Sequence, residues 1–253
     1  MNENKSETAV RLWRMVQTQA GLSRRKAQEL IGSGEVELNG RIVDDPFLSV
    51  EKQTIATLCL RGHPLSLCDP EHRVYRYHKP PGVLCSHDDP HCGNTAGRIL
   101  RSEGFIGYTW AGRLDQDAEG LVLLTNDGGL VEILTHPRYR VKKVYHVFVP
   151  RFPPIREMKR IFSEMQRGIE EGNERLRIVA GEMSGRPLRA VLTLAEGKKH
   201  EVKRLFSHFN LKVIRLRRVA IGPVKLSGLA PEEIVRLDPA TVASLDRLTG
   251  KKP

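Results

Sequence analysis

No apolar run in this 253-residue chain extends beyond a few residues, which leaves no segment able to cross a bilayer as a helix. The opening Met1-Asn2-Glu3-Asn4-Lys5-Ser6-Glu7 is polar and has no secretory signal, so a cytoplasmic protein is expected. Cysteine is sparse as well. None of Cys59, Cys68, Cys85 and Cys92 forms a Cys-x-x-Cys pair, and a reducing compartment argues against structural disulfides. The stretch Cys85-Ser86-His87-Asp88-Asp89-Pro90-His91-Cys92 holds candidate zinc donors, but their spacing fits no standard site; it reads as a polar loop with reduced thiols. Acidic residues are outnumbered, 30 against 41 Lys and Arg, for a formal charge of +11. That surplus points to a polyanionic partner, nucleic acid sooner than a membrane surface.

What the chain does hold is a loop feeding a strand. Gly112-Arg113-Leu114-Asp115-Gln116-Asp117-Ala118-Glu119-Gly120 runs into Leu121-Val122-Leu123-Leu124-Thr125 and then Asn126-Asp127-Gly128. A short apolar run bounded by Gly and Asn-Asp-Gly predicts a buried strand, and a polar loop anchored by such a strand is where chemistry is commonly placed. Asp115, Asp117 and Glu119 start like a calcium loop, but Leu and Val occupy the later ligand positions and Asn126 the closing one. Those residues suit a core.

Gly-Arg-Leu-Asp, then Glu-Gly and an apolar strand ending Thr-Asn-Asp-Gly, resembles the signature of the ribosomal RNA pseudouridine synthases. More narrowly it is similar to the branch that modifies single uridines in small- or large-subunit RNA. The resemblance implies an α+β fold, a mixed, mostly antiparallel sheet flanked by helices with a cleft across the sheet. It also implies Asp115 as the catalytic carboxylate, with no cofactor and no metal.

Ahead of this region the periodicity predicts a polar tail over 1–7 and a helix from Thr8 to Ala20, ended by Gly21. A second helix, N-capped by Ser23, runs through Ile31. Arg24, Arg25 and Lys26 crowd its first turn, against the helix dipole, a placement that suits phosphate contact better than local stability. Gly34 to Val43 alternates around Asn39-Gly40, a strong hairpin signal. Two short helices and a hairpin resemble the small αL RNA-binding module of small-subunit ribosomal protein four. That resemblance covers about Arg11 to Leu60 and implies Arg24, Arg25, Lys26 and Arg41 as RNA-facing. The expected organisation is therefore a binding module over 8–60, a linker over 61–71, a catalytic domain over 72–240 and a tail over 241–253.

Within the catalytic domain, Val74 to Val83 reads as a strand stopped by Pro80, Pro81 and Gly82, and 94–101 as a short helix. Leu130 to His136 reads as a helix ended by Pro137, and Arg140 to Val149 as a strand on which Lys143 and Tyr145 share one face. Ile155, Met158, Ile161, Phe162 and Met165 form a core stripe on a helix over 151–168. Leu188 to Leu194 is a further strand. Val202, Leu205, Phe206 and Phe209 mark a helix that leaves Lys203 off its apolar centre, and Val213 to Val219 alternates as a strand with one cationic face. Lys143-Val144-Tyr145 is similar to the family's Lys-x-Tyr, which implies Tyr145 beside the catalytic carboxylate. His200-Glu201-Val202-Lys203 is similar to the family's basic-Gln-Val-Lys pattern, with Glu201 where Gln is usual. It implies Lys203 as the cation keeping Asp115 ionised, Arg113 as the residue that fills the vacated base position or clamps phosphate, and Lys198 and Arg217 as RNA-binding.

Two other function classes fit parts of the sequence. A non-catalytic ribosome-assembly factor would need only the basic surface; a metal-dependent phosphohydrolase would use Asp115, Asp117 and Glu119. Asp115, Tyr145 and Lys203 standing together in the family's pattern favour the synthase, a monomer acting on ribosomal RNA, free or in an assembly intermediate.

Overall fold

The computed structural model describes residues 9–68, 71–105 and 107–249. The tail expected over 1–7, the helix start at Thr8 and residues 250–253 lie outside them. The chain divides into two compact units, Met1–His72 with Leu100–Tyr108, and Arg73–Ile99 with Thr109–Pro253.

In the first unit, β1 (Ala9–Arg11) precedes α1 (Leu12–Ala20), which is followed by α2 (Arg24–Gly32). The helix expected from Thr8 thus begins later, because Ala9–Arg11 pair antiparallel with β4 (Ser49–Glu51), a partner that helical periodicity cannot reveal. Leu12, Met15 and Val16 bury the inner face of α1, and Gly21 ends it in the left-handed region. Ser23 caps α2 by accepting from the Lys26 amide. β2 (Val36–Leu38) and β3 (Arg41–Val43) form the hairpin, with Asn39 and Gly40 both at positive φ. β5 (Leu58–Leu60) pairs with β2, and β6 (His63–Pro64), inside the stretch expected as linker, pairs with β5.

The second unit opens with β7 (Val74–Lys79), followed by α3 (Ala96–Ser102, which crosses the division), β8 (Thr109–Ala111), β9 (Glu119–Thr125), α4 (Gly128–Thr135) and β10 (Lys143–Phe148). α5 (Ile155–Arg167), β11 (Ile169–Glu171), β12 (Glu174–Leu176), β13 (Ala180–Ser184) and β14 (Arg189–Leu194) follow. α6 (Glu201–His208), β15 (Arg215–Ile221), β16 (Val224–Lys225), β17 (Ile234–Arg236) and α7 (Pro239–Asp246) complete it. Nine strands make one mixed sheet in the order β13-β14-β10-β15-β9-β7-β17, with β8 on β9 and β16 on β15. Every pairing is antiparallel except β15 with β9, where Arg217 faces Glu119 and Arg218 faces Gly120. This join is so close that a Cβ on Gly120, whose φ is +112°, would stand 2.2 Å from the Arg218 carbonyl oxygen.

β9 is buried on both faces from Gly120 to Thr125, as a central strand should be. Its Leu121 and Leu123 pack in one core with Leu130 and Leu134 of α4, and Leu245 of α7 is fully buried in the same cluster. The segment expected as a tail thus begins with a helix seated in the core. On α5 the stripe is buried at Met158, Ile161, Phe162 and Met165, whereas Ile155 is 57% exposed in the first turn. β15 does not carry one cationic face. Arg215 and Arg217 share a face, and Arg218 projects from the opposite one into the interior.

Candidate active site

The Asp115 loop is held by two buried cations from elements on either side of β9. Arg218 of β15 donates from Nε to the Leu121 carbonyl (2.8 Å), from Nη1 to Arg113 (3.2 Å) and from Nη2 to Gly112 (3.2 Å). Lys79, at the end of β7, donates from Nζ to the carbonyls of Ala118 (2.7 Å), Pro80 (2.8 Å) and Gln116 (3.2 Å). Burial above all lowers the Lys79 pKa to about 8, with Asp117 and Asp115 among the charges pulling it back up. Carbonyls that turn inward in an irregular loop need donors, and these two side chains supply them.

Asp115 itself is about a quarter exposed and its Oδ2 faces two donors from the start of α6. His200 Nδ1 lies 2.9 Å away and Lys203 Nζ 3.4 Å. Lys203 is closer to Asp117, at 2.5 Å from Oδ1, so the cation is shared between two carboxylates. The hydrogen bond from Lys203 is the main reason the Asp117 pKa is lowered. For Lys203, desolvation opposes charging, but the bond to Asp117 and the charges of both aspartates outweigh it and raise its pKa. Glu119 turns elsewhere, to Arg215 (2.7 Å) and Arg217 (3.6 Å). The three carboxylates of the phosphohydrolase reading are therefore each committed to a cation. Among the described residues no three His, Cys, Asp or Glu side chains gather closely enough to hold a metal ion.

Asp115 opens onto a cavity of about 720 Å³. Tyr145, 8% exposed on β10, lines it with Lys143, Arg113, Lys198, His200 and Arg218. Trp110, Leu84 and Cys85 line it too. A carboxylate held by two neighbours at a cavity that an aromatic ring also lines can act as nucleophile or base on a flat ligand.

The other expected residues lie as follows. Arg113 is exposed at the cavity, while Lys198 is also paired with Glu196 (2.9 Å). Arg217 does not line the cavity: it lies beside Glu119 and 3.3 Å from His78 Nε2. Arg24, Arg25, Lys26 and Arg41 are all exposed and belong to the first unit; Arg24 lies over the Trp13 ring at 4.6 Å and Lys26 pairs with Glu29. Glu201 is 4% exposed and accepts from the Lys198 amide (3.1 Å). Burial raises its pKa toward the neutral acid, which, like the Gln amide, offers both a donor and an acceptor.

Sequence reading missed His200, Lys79 and Arg218 as parts of this site, and offered Asp117 only as a metal ligand. Arg218 had a signal: strand parity sets it opposite Arg217. His200 had a weaker one, three residues before Lys203 at a helix start. Lys79 was read only as the end of a strand, since nothing local announces which carbonyls it meets.

Comparison with known proteins identifies the family of the chain. Residues 73–208 match the family of RNA pseudouridylate synthases, and residues 15–51 match the S4 domain. An uncharacterized RNA pseudouridine synthase of Aquifex aeolicus is 33% identical, covering 93% of each chain. The ribosomal small subunit pseudouridine synthase A of Vibrio cholerae is 33% identical over 89% of this chain and 94% of its own. For the ribosomal large subunit pseudouridine synthase B of Bacillus subtilis the figures are 30%, 94% and 96%. A crystal structure of a pseudouridylate synthase superposes with a TM-score of 0.64 at 28% identity, over 93% of this chain and 99% of that one. With its mixed sheet, its N-terminal S4 domain and family matches over nearly its whole length, the chain belongs to the RNA pseudouridine synthases, enzymes that isomerise uridine within RNA.

Proposed function

We propose that this synthase isomerises a specific uridine of ribosomal RNA, with Asp115 as its catalytic carboxylate. The observation that carries the assignment is the position of Asp115, on a loop braced by Arg218 and Lys79, facing His200 and Lys203 and sharing a cavity with Tyr145. Ribosomal RNA as substrate is supported by the named relatives, which act on small- and large-subunit RNA, and by the separate S4 domain with its exposed Arg24, Arg25, Lys26 and Arg41.

The reaction breaks the bond from ribose C1′ to uracil N1, turns the base and joins C1′ to C5. Asp115 serves either route to this end: attack on C1′, or stabilisation of the ribose intermediate and removal of a proton from it. His200 and Lys203 hold the carboxylate in place and aim it, with Lys203 as its cationic partner. Tyr145 packs against the base and serves in proton transfer. The target nucleotide must leave its stack to enter, and Arg113 either fills the vacated position or clamps the phosphate, with Lys198 and Arg217 tracking the backbone. The S4 module over 8–60 anchors the RNA, and one chain suffices for activity in the cytoplasm, on free RNA or an assembling subunit.

Pseudouridine mapping of both ribosomal RNAs, with and without the gene, tests this reading. One modified site should vanish, return with the normal protein and stay absent with Asp115→Asn, whose turnover is expected to fall at least about 10³-fold. An unchanged map would leave the assembly-factor reading or another RNA. Restoration by Asp115→Asn would remove Asp115 from catalysis.

A further inference from the structure

Of the buried cations in the catalytic unit, Lys143 alone has no stated work. It sits two residues before Tyr145 on β10, so both side chains leave the same face, and both line the cavity. The residue is 6% exposed. Lys79 and Arg218 each meet three carbonyls, and Lys203 meets two carboxylates. The Lys143 ammonium has no protein hydrogen-bond or ion-pair partner among the described residues and faces the cavity. Desolvation first, and then the charge of Arg218, press its pKa down to about 8 against the pull of Glu201. A largely buried ammonium with no protein partner costs folding free energy that an unbranched apolar side chain in its place would not. Its donors are available to a substrate bound in the cavity.

Given the Asp115 reading above, on which this inference rests, we propose that Lys143 is a catalytic residue that donates a hydrogen bond to a carbonyl oxygen of the target uracil and holds the charge the base gains on leaving ribose. When C1′–N1 breaks heterolytically, both electrons go with the base and the negative charge spreads from N1 onto O2 and O4. The base then turns, C5 bonds to C1′, the C5 proton is lost to a base and N1 takes up a proton, so the net change is isomerisation alone. A fixed ammonium beside Tyr145 is worth most while that charge exists and little before it forms, which is the condition for accelerating the step. The exposed rim cations suit phosphate, whose charge is constant; a largely buried ammonium facing the cavity suits a neutral base that becomes anionic.

The test uses the full-length enzyme and a transcript carrying the uridine found by mapping. Lys143→Met should fold and bind the transcript within about threefold of the normal protein, while its single-turnover rate falls roughly 10²–10³-fold. A rate within threefold overturns the inference. Asp115→Asn run alongside separates the two readings, since its retained activity would indict the Asp115 assignment and not Lys143 alone. A second measurement replaces uracil O2 or O4 by sulfur, a poorer acceptor. One of the two substitutions should slow the normal enzyme about tenfold or more yet leave Lys143→Met no slower than it already is. Equal slowing of both enzymes overturns the proposal. Should Lys143→Met fail to fold, Lys143→Arg takes its place: a changed thio effect supports the contact and an unchanged one removes it.

Discussion

The two units of this protein handle positive charge in opposite ways. In the first, Arg24, Arg25, Lys26 and Arg41 stand in water on a helix start and beside a hairpin turn. In the second, Lys79, Arg218 and Lys143 are 0%, 1% and 6% exposed. Solvated charges attract a polyanion at long range, weakly and with strong dependence on salt. Buried charges must be answered at short range, by carbonyls for Lys79 and Arg218. On the proposed reading, the difference separates finding an RNA from acting on one of its bases.

The comparison breaks most readily at Arg218. Arg218→Met should orphan the inward carbonyls of Gly112, Arg113 and Leu121 and destabilise the protein by about 3–5 kcal/mol, read by thermal unfolding. At temperatures where the variant is still folded its single-turnover rate should fall roughly 10²-fold, because the Asp115 loop loses its fixed position. A normal melt and rate would mean that the guanidinium is only filler.

Lys143 sharpens the contrast by moving stability the other way. Lys143→Met should raise stability by roughly 1–3 kcal/mol near pH 7, since it removes a largely buried charge that has no protein partner. The sign follows from a folded pKa of about 8 below the unfolded value of 10.5. Below pH 8 both states are protonated and the normal protein bears the full penalty. Between pH 8 and 10.5 the folded amine is already neutral, so the advantage of the variant should shrink and vanish. Unfolding curves at a series of pH values check this. A destabilised Lys143→Met would mark the lysine as structural.

The smallest effects belong to the outer cations. Replacing Arg24, Arg25, Lys26 and Arg41 together by Ala should leave each contribution to stability within about 0.5 kcal/mol. RNA affinity should weaken, and the log–log salt slope should flatten by up to roughly 3 if all four meet phosphates. Titrations at several salt concentrations measure it, and the rate at saturating RNA should hold. An unaltered slope would make these residues a solvated face and nothing more.

Local rules carried the reading of the sequence a long way. Ser23 caps α2, Gly21 ends α1, and Asn39-Gly40 turns the hairpin, because each depends on atoms a few residues away. Alternation set Lys143 with Tyr145, and the bounded apolar run gave a strand buried on both faces. The readings that changed have one feature in common. Residues 9–11 left the expected helix for β4, 40 residues on, and the expected tail put Leu245 into a core built around β9. Ile155 lay on the apolar stripe of α5 yet stands in water, since periodicity sets a direction and only a neighbour provides burial.

The sequence by itself therefore determined the Asp115 loop, the strand that anchors it, the S4-like hairpin and the family, because these are written in short-range turn chemistry, periodicity and motif. Only the tertiary structure decided what the loop's charges meet. His200 reaches Asp115 across 85 positions, Lys203 is shared with Asp117, and the parallel join of β15 to β9 carries Arg218 over Gly120 to carbonyls about a hundred residues upstream. Such contacts depend on which strands pair and in what register, and a lysine or arginine in the sequence does not reveal whether water or a carbonyl will answer its charge.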